Sequence, residues 1–121
     1  MAEHNAFGAE AERRVAQFLA ENEYKILKRN WRYLQLEIDI IAEDLLSKEI
    51  VMVEVKARTN PMVDPLESIT QKKRKNLVTA ADYFITSNEI ALECRFDIVL
   101  VERKQNEWTF EHLKNAFLAF E

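Results

Sequence analysis

The chain has 121 residues, of which 48% are apolar, and its 17 basic and 21 acidic side chains give a net charge of −4. This size and composition predict a single globular domain over residues 1–121. No apolar run approaches the length of a membrane-spanning helix, no export signal is apparent at the start, and one glycine is too few for a glycine-rich phosphate loop. We therefore expect a cytoplasmic protein with no membrane partner and no nucleotide-binding fold of that kind.

The first predicted element is a helix from about Glu10 to Asn22. Gly8, Glu12, Val15 and Leu19 recur at helical spacing on one stripe, so Glu12 should point toward the packed side. Such an acid is either an ion-paired helix residue or a support for a functional site. The next segment, residues 24–34, has strand character with an irregularity near Arg29 and Asn30.

Residues 36–56 contain two apolar runs that alternate with acids and are joined by a polar turn near Leu46. Period-two alternation predicts two strands, with Ile38 and Ile40 on one face and Asp39 on the other. Folding the runs onto each other places Asp39 opposite Glu54, at a Cβ separation of about 4.5 to 5.5 Å. Two carboxylates that close repel each other unless a cation lies between them.

A divalent cation such as Mg²⁺ would relieve that repulsion, because Mg²⁺ is commonly held by one or two carboxylates together with water and phosphate oxygens. Lys56 lies two residues beyond Glu54 on the same strand face, within reach of the site. An Asp followed by Glu-X-Lys suits phosphodiester cleavage, in which the lysine offsets charge on the phosphate. The same residues could also form a salt-bridged, solvent-facing surface.

Residues 57–64 are predicted to be a loop. A helix should follow from an N-cap at Asp64, with Pro65 at its first position, and extend to about Ile85 with Thr70 as a candidate break. Basic residues cluster in two segments, four between residues 25 and 32 and six between residues 56 and 75. This distribution favours phosphate contacts despite the negative net charge, although a solvated helix face explains it equally well. The candidate nucleic-acid contacts are Arg58, Gln71, Lys72 and Lys73.

Residues 95–101 form the next predicted strand, and the long helical crossover before it allows parallel pairing with the strand of Glu54. Asp97 in this strand is expected to form an ion pair with Arg95 or Lys56. Residues 107–113 alternate as a last strand, and the apolar segment from Asn115 should dock on the core or on a second chain. The order predicts an α/β fold with a central mixed sheet flanked by helices.

These motifs resemble those of the YraN-like family of bacterial proteins, which is placed in the PD-(D/E)XK nuclease superfamily and is akin to archaeal Holliday-junction resolvases. The resemblance covers nearly the whole chain, and its motifs are the acid Glu12, Glu37-Ile38-Asp39, Val53-Glu54-Val55-Lys56 with Arg58, Arg95-Phe96-Asp97 and Asn115-Ala116-Phe117. The family usually has glycine where Ala11 and Leu36 stand here. The resemblance implies a restriction-endonuclease-like αβββαβ core, in which a Gln or Lys on the second helix, Gln71 or Lys73, supports the site.

Three functions remain open at this point. The first is an endonuclease that depends on Mg²⁺ or Mn²⁺ and acts on branched or single-stranded DNA or RNA. Its catalytic residues would be Glu12, Asp39, Glu54 and Lys56, with Asp39 and Glu54 as the metal ligands. The second is a nucleic-acid-binding module without turnover, and the third is an interaction module with a vestigial site. The resolvase resemblance and the apolar C-terminal segment also predict a homodimer.

Overall fold

A computed structural model describes residues 6–58 and 65–119. Its elements are α1 (Ala6–Ala20), β1 (Tyr24–Tyr33), β2 (Leu36–Asp44), β3 (Glu49–Ala57), a 3₁₀ turn (Pro65–Ser68), α2 (Gln71–Ser87), β4 (Glu93–Lys104) and β5 (Glu107–Phe117). The five strands form one sheet in the order β1-β2-β3-β4-β5. Among the strands of the described residues, only the β3–β4 pairing is parallel, as predicted from the long crossover.

The two helices cover opposite faces of the sheet. Val15 and Leu19 of α1 pack with one set of strand residues, which includes Val53, while Leu77 and Phe84 of α2 pack with another. This arrangement confirms the predicted α/β architecture with a mixed central sheet, and it is consistent with a restriction-endonuclease-like core carrying one further strand, β5. In the part of the chain that the structure describes, no helix is long and apolar enough to cross a membrane.

Both helices differ in their bounds from the sequence prediction. The helix α1 ends at Ala20 rather than Asn22, because Asn22 turns back to donate a side-chain hydrogen bond of 2.7 Å to the Phe18 carbonyl and Glu23 adopts a φ of 70°. The helix α2 begins at Gln71, and Thr70 is its N-cap, with Oγ1 accepting from the Lys73 N–H at 3.1 Å. The predicted break near Thr70 is therefore confirmed, whereas the predicted cap, Asp64, lies outside the described residues.

The strict alternation predicted for β2 is wrong at Asp39. Ile38 packs on the α2 side of the sheet and Ile40 on the α1 side, so the two isoleucines do not share a face. The change of face coincides with an irregularity in the neighbouring strand, where Asn30 has a φ of 51°. The β1–β2 register pairs Arg29 with Ile40 and Trp31 with Ile38, which leaves Asn30 and Asp39 between these two pairs. Both strands are therefore distorted at the same level.

A buried arginine ties the strands together at the other end of β3. Arg95 donates to both carboxylate oxygens of Asp97 at 2.9 Å, to Asp44 at 2.9 Å, to Glu49 at 2.8 Å and to the Tyr24 hydroxyl at 2.8 Å. This confirms the expected ion pair between Asp97 and Arg95. Burial lowers the pKa of Arg95, but its hydrogen bonds, first of all those to Asp97, raise the pKa by more. The guanidinium therefore stays charged.

The apolar C-terminal segment packs on its own chain as far as the structure describes it. Phe117 is buried and stacks on Phe96, with ring centroids 5.0 Å apart. Docking on the core is thus the outcome for this part of the segment, and Phe117 is not available to a second chain.

Candidate functional site

The site is built where β2 and β3 separate. Their ladder runs from the turn to the pair Ile40–Val53 and stops there. One residue further along, the Asp39 carboxylate takes the place of a backbone carbonyl, because its Oδ2 accepts a 2.9 Å hydrogen bond from the N–H of Val55. Asp39 is 1% exposed. The end of a strand pair thus fixes this carboxylate beside β3.

Glu54 is the second buried carboxylate of the site, with 2% of its surface exposed. Neither of its carboxylate oxygens accepts a hydrogen bond from any residue in the described ranges. Burial, and then the negative charge of Asp39, raises the pKa of Glu54 from 4.5 to about 7. The predicted proximity of these two acids therefore has its expected electrostatic consequence.

Two lysines near Glu54 lower the pKa of its carboxyl group and so partly oppose the effect of burial. The ammonium of Lys73, on the first turns of α2, lies 3.9 Å from Glu54 Oε2 and is one-third exposed. Lys56 is half-buried at the end of β3, and its charge also lowers the pKa of Glu54, by less than that of Lys73. Lys73 was predicted as a nucleic-acid contact or a support of the site, and the structure brings it to the buried acid.

Two cavities adjoin the site, one through Lys73 and the other through Glu12. One, of about 300 Å³, is lined by Arg32, Gln35, Leu36, Glu37, Lys73, Asn76 and Leu77. The other, of about 360 Å³, is lined by Ala9, Glu12, Arg29, Asn30, Arg32 and Glu37. Arg32 and Glu37 line both cavities, and the Arg32 guanidinium lies 3.6 Å from the Glu37 carboxylate. The two cavities therefore adjoin at the end of the β1–β2 hairpin.

The structure places the remaining candidates around this centre. Glu12 is buried on α1, as its stripe predicted, and lines the cavity on the α1 side. Arg58 donates to the Glu111 carboxylate of β5. Gln71 and Lys72 are exposed on the first turn of α2. Lys73 is thus the nucleic-acid candidate that the structure places beside the buried Glu54.

The site also contains residues that the sequence did not single out as functional. Arg32 was counted only as part of a basic segment, and Asn76 was not considered. Both line the cavity that contains Lys73. The only available signal for Asn76 was its spacing of three from Lys73, which places both on one side of α2.

The donor set fits a hard divalent cation. In residues 6–58 and 65–119, no group of three or more His, Cys, Asp or Glu side chains lies close enough to hold a metal. Asp39 and Glu54 are adjacent buried carboxylates and are the candidate protein ligands. Mg²⁺ typically takes one or two carboxylates and fills its remaining positions with water and phosphate oxygens, whereas a structural zinc site needs about four protein ligands.

Comparison with known proteins gives a family relationship that covers most of the chain. A family model described as "Uncharacterised protein family UPF0102" matches residues 11–101. A UPF0102 protein of Phocaeicola vulgatus is 36% identical over 118 residues, covering 97% of this chain and 96% of that protein. A UPF0102 protein of Flavobacterium psychrophilum is 37% identical over 123 residues, covering 99% and 100%, and one of Bacteroides thetaiotaomicron is 38% identical over 118 residues, covering 97% and 96%. The matched residues 11–101 include every candidate site residue named above.

Proposed function

This chain belongs to the uncharacterised protein family UPF0102, and we propose that it is an endonuclease that cleaves phosphodiester bonds in structured or branched DNA or RNA with Mg²⁺ or Mn²⁺. The proposal includes membership of the PD-(D/E)XK nuclease superfamily. Its substrate would be bound at the end of the sheet where β2 and β3 separate, between α2 and the β1–β2 hairpin.

The observation that carries the proposal is the position of Glu54. A fully buried carboxylate that accepts no hydrogen bond from the described residues, next to a second buried carboxylate, is costly for a fold unless a cation offsets it. Lys73 offsets the charge only in part, because its nitrogen is 3.9 Å away and it is partly solvated. A metal ion held by both acids would complete the compensation.

Each residue then has a chemical role. Asp39 and Glu54 hold the metal, which when bound would act as a Lewis acid on the phosphate and lower the pKa of the attacking water. Lys56 lies two residues beyond Glu54 on the same strand face, where its ammonium stabilises negative charge that develops on the phosphate. Glu12 supports the site from the α1 side. Arg58, Gln71, Lys72 and Lys73 contact the nucleic-acid backbone.

Cleavage of a four-way junction requires two such sites, so the proposal extends to a symmetric homodimer. A stable interface of this kind should bury more than about 1,000 Å² in total. Light scattering at tens of micromolar protein, a range roughly suited to micromolar affinities, measures the oligomeric state directly. A purely monomeric protein would restrict the proposal to flaps and single strands.

The deciding experiment is a cleavage screen with junctions, flaps, single strands and duplexes, in EDTA, Mg²⁺ or Mn²⁺. Glu54→Gln should abolish metal-dependent cleavage, while Glu43→Gln, a control on β2 outside the site, should retain it. Binding without cleavage by the wild type would instead indicate a nucleic-acid-binding module. The absence of both binding and cleavage would leave an interaction module as the better description.

A further inference from the structure

The aromatic residues beside the cavity of Lys73 form a stack that reaches the surface. The rings of Tyr33 on β1 and Tyr83 on α2 are nearly parallel, at 16°, with centroids 3.9 Å apart. Trp31 lies beneath them, 6.3 Å from Tyr83 and edge-on to the buried Phe84 at 5.2 Å. Trp31 thus packs on the core, whereas Tyr83 remains 45% exposed.

This stack is continuous with the candidate site. Tyr33 pairs directly with Leu36, which lines the cavity of Lys73. On α2, Lys73, Asn76 and Tyr83 are separated by three and seven residues, so they lie along one side of the helix. At 1.5 Å per residue, Tyr83 is about 15 Å from Lys73 along the helix, or roughly four nucleotides of a stacked strand at 3.4 Å each. The cavity of Lys73, called the groove below, therefore lies between Lys73, which is 3.9 Å from Glu54, and Leu36, which pairs with Tyr33 of the stack.

The charges along the groove suit a phosphate backbone. Arg32 and Lys73 are both partly exposed on its walls, and the acid there, Glu37, is half-buried and lies 3.6 Å from Arg32. Asp82 is the exposed acid beside Tyr83. Leu34, at the tip of the adjacent turn, is 80% exposed and extends the apolar surface beyond the stack. Basic walls with an exposed aromatic surface at one end are the elements of a single-strand binding groove.

We propose that the stacked pair of Tyr33 and Tyr83 is a platform for an unpaired base, so that the site takes a single-stranded segment of its substrate. This inference rests on the proposed function, because it names which form of nucleic acid enters the groove. A base pair inside a duplex cannot offer its face to an external ring, because the neighbouring base pairs cover both faces. An unpaired base can stack on the tyrosines while its phosphates meet Arg32 and Lys73.

The test is binding of a fluorescein-labelled twelve-residue oligothymidylate, measured by anisotropy in EDTA so that no cleavage takes place. Tyr83→Leu keeps an apolar contact with Tyr33 and Trp31 but removes the ring face, and the double variant Tyr33→Leu/Tyr83→Leu removes both rings. Base–aromatic stacking of about 1 to 3 kcal/mol corresponds to a loss of at least about fivefold in affinity. We expect that loss for Tyr83→Leu and a larger one for the double variant.

Two controls make the result specific. Phe7→Ala removes another partly exposed ring, one that stacks on Trp108 away from the groove, and should leave the affinity within about twofold of wild type. A blunt duplex of the same length should bind wild type and Tyr83→Leu equally. Thermal melting identifies any variant that fails to fold, and Tyr83→Leu, on the exposed side of α2, remains informative if the double variant does not fold.

Wild-type affinity of both leucine variants for oligothymidylate would overturn the inference, as would an equal loss for single strand and duplex. The outcome is separable from that of the proposed function, because binding is measured without metal. If affinity depends on the tyrosines but no substrate is cleaved, the result contradicts the nuclease proposal and supports the base-stacking platform. If Tyr83→Leu cleaves single strands with the wild-type rate and affinity, the result contradicts the base-stacking platform and supports the nuclease proposal.

Discussion

The Asp39 carboxylate accepts a 2.9 Å hydrogen bond from the N–H of Val55, the residue that follows Glu54. One side chain therefore has two roles, since it satisfies a backbone donor at the end of the β2–β3 ladder and places a negative charge beside Glu54. Substitution can separate these roles. Asparagine keeps an oxygen acceptor and removes the charge, whereas alanine removes both.

Asp39→Asn should be more stable than the wild type in EDTA, because it relieves the repulsion between the two acids. Asp39→Ala should instead lose about 1 to 3 kcal/mol of unfolding free energy, because the buried Val55 N–H is left unsatisfied. Urea denaturation of the three proteins in EDTA measures the difference.

The same proteins test metal binding. At a hundred times its dissociation constant, Mg²⁺ should raise the unfolding free energy of the wild type by about 2.7 kcal/mol. It should raise that of either Asp39 variant very little. If all three proteins respond identically to Mg²⁺, Asp39 is not a ligand, and the proposed metal site loses one of its two residues.

The raised pKa of Glu54 predicts a specific pH dependence. Burial and then the charge of Asp39 raise it from 4.5 to about 7, so the folded state binds this proton more tightly than the unfolded state does. The resulting stabilisation of about 3 kcal/mol is fully present below about pH 4.5. It is lost as the pH rises through about 7. Glu54→Gln should lack this contribution. The difference in unfolding free energy between wild type and Glu54→Gln, followed from pH 4 to 8 in EDTA, should change by that amount, and a constant difference would contradict it.

The sequence predicted the sheet, both helices and the approach of Asp39 to Glu54, because period-two alternation and the strand register are local properties of the chain. It did not predict that Ile38 and Ile40 face opposite sides of the sheet. That change of face coincides with the positive φ of Asn30 in the neighbouring strand, which alternation does not reveal. The sequence also left open whether Gln71 or Lys73 lies at the site, because the proximity of Lys73 to Glu54 depends on how α2 lies across the sheet.

Lys72 and Lys73 should both contribute to nucleic-acid binding but differ in their effect on the site. Each substitution by methionine should reduce the slope of log affinity against log salt by about one unit, and charge reversal of both to glutamate by about two or more. Only Lys73→Met should raise the pKa of Glu54 further, because only its ammonium lies near that carboxylate. Anisotropy titrations at several salt concentrations measure the slopes. Unchanged slopes in both variants would exclude α2 as a docking surface.

Lys56→Ala should separate binding from catalysis. Because its ammonium is expected to stabilise charge that develops on the phosphate, its loss should lower the single-turnover cleavage rate by about 10²- to 10³-fold. Substrate affinity and stabilisation by Mg²⁺ should change little. Lys75→Ala, on the exposed side of α2, is the matched control and should cleave at the wild-type rate. A weakened affinity with an unchanged rate would make Lys56 a binding residue.

Arg95→Met should be strongly destabilising, because it leaves Asp44, Glu49 and Asp97 close together without the guanidinium that bridges them. Removing one partner of a buried ion pair costs about 3 to 5 kcal/mol. Arg103→Met, at the exposed end of the same strand, should change the unfolding free energy by less than about 0.5 kcal/mol. Urea denaturation at pH 7 compares the two variants, and similar values would show that the Arg95 network adds little to stability.

Arg95 also constrains the order in which the chain can reach its native state. Its guanidinium connects Tyr24 of β1, Asp44 of β2 and Glu49 of β3 to Asp97 of β4, so the meander of the first three strands acquires this cation only after α2 has been synthesised. While the chain emerges from the ribosome, Asp44 and Glu49 lack this partner until Arg95, which is 51 and 46 residues further along, has been synthesised. Parallel β3–β4 pairing and neutralisation of the meander are thereby one long-range event, of the kind that makes folding slow and cooperative.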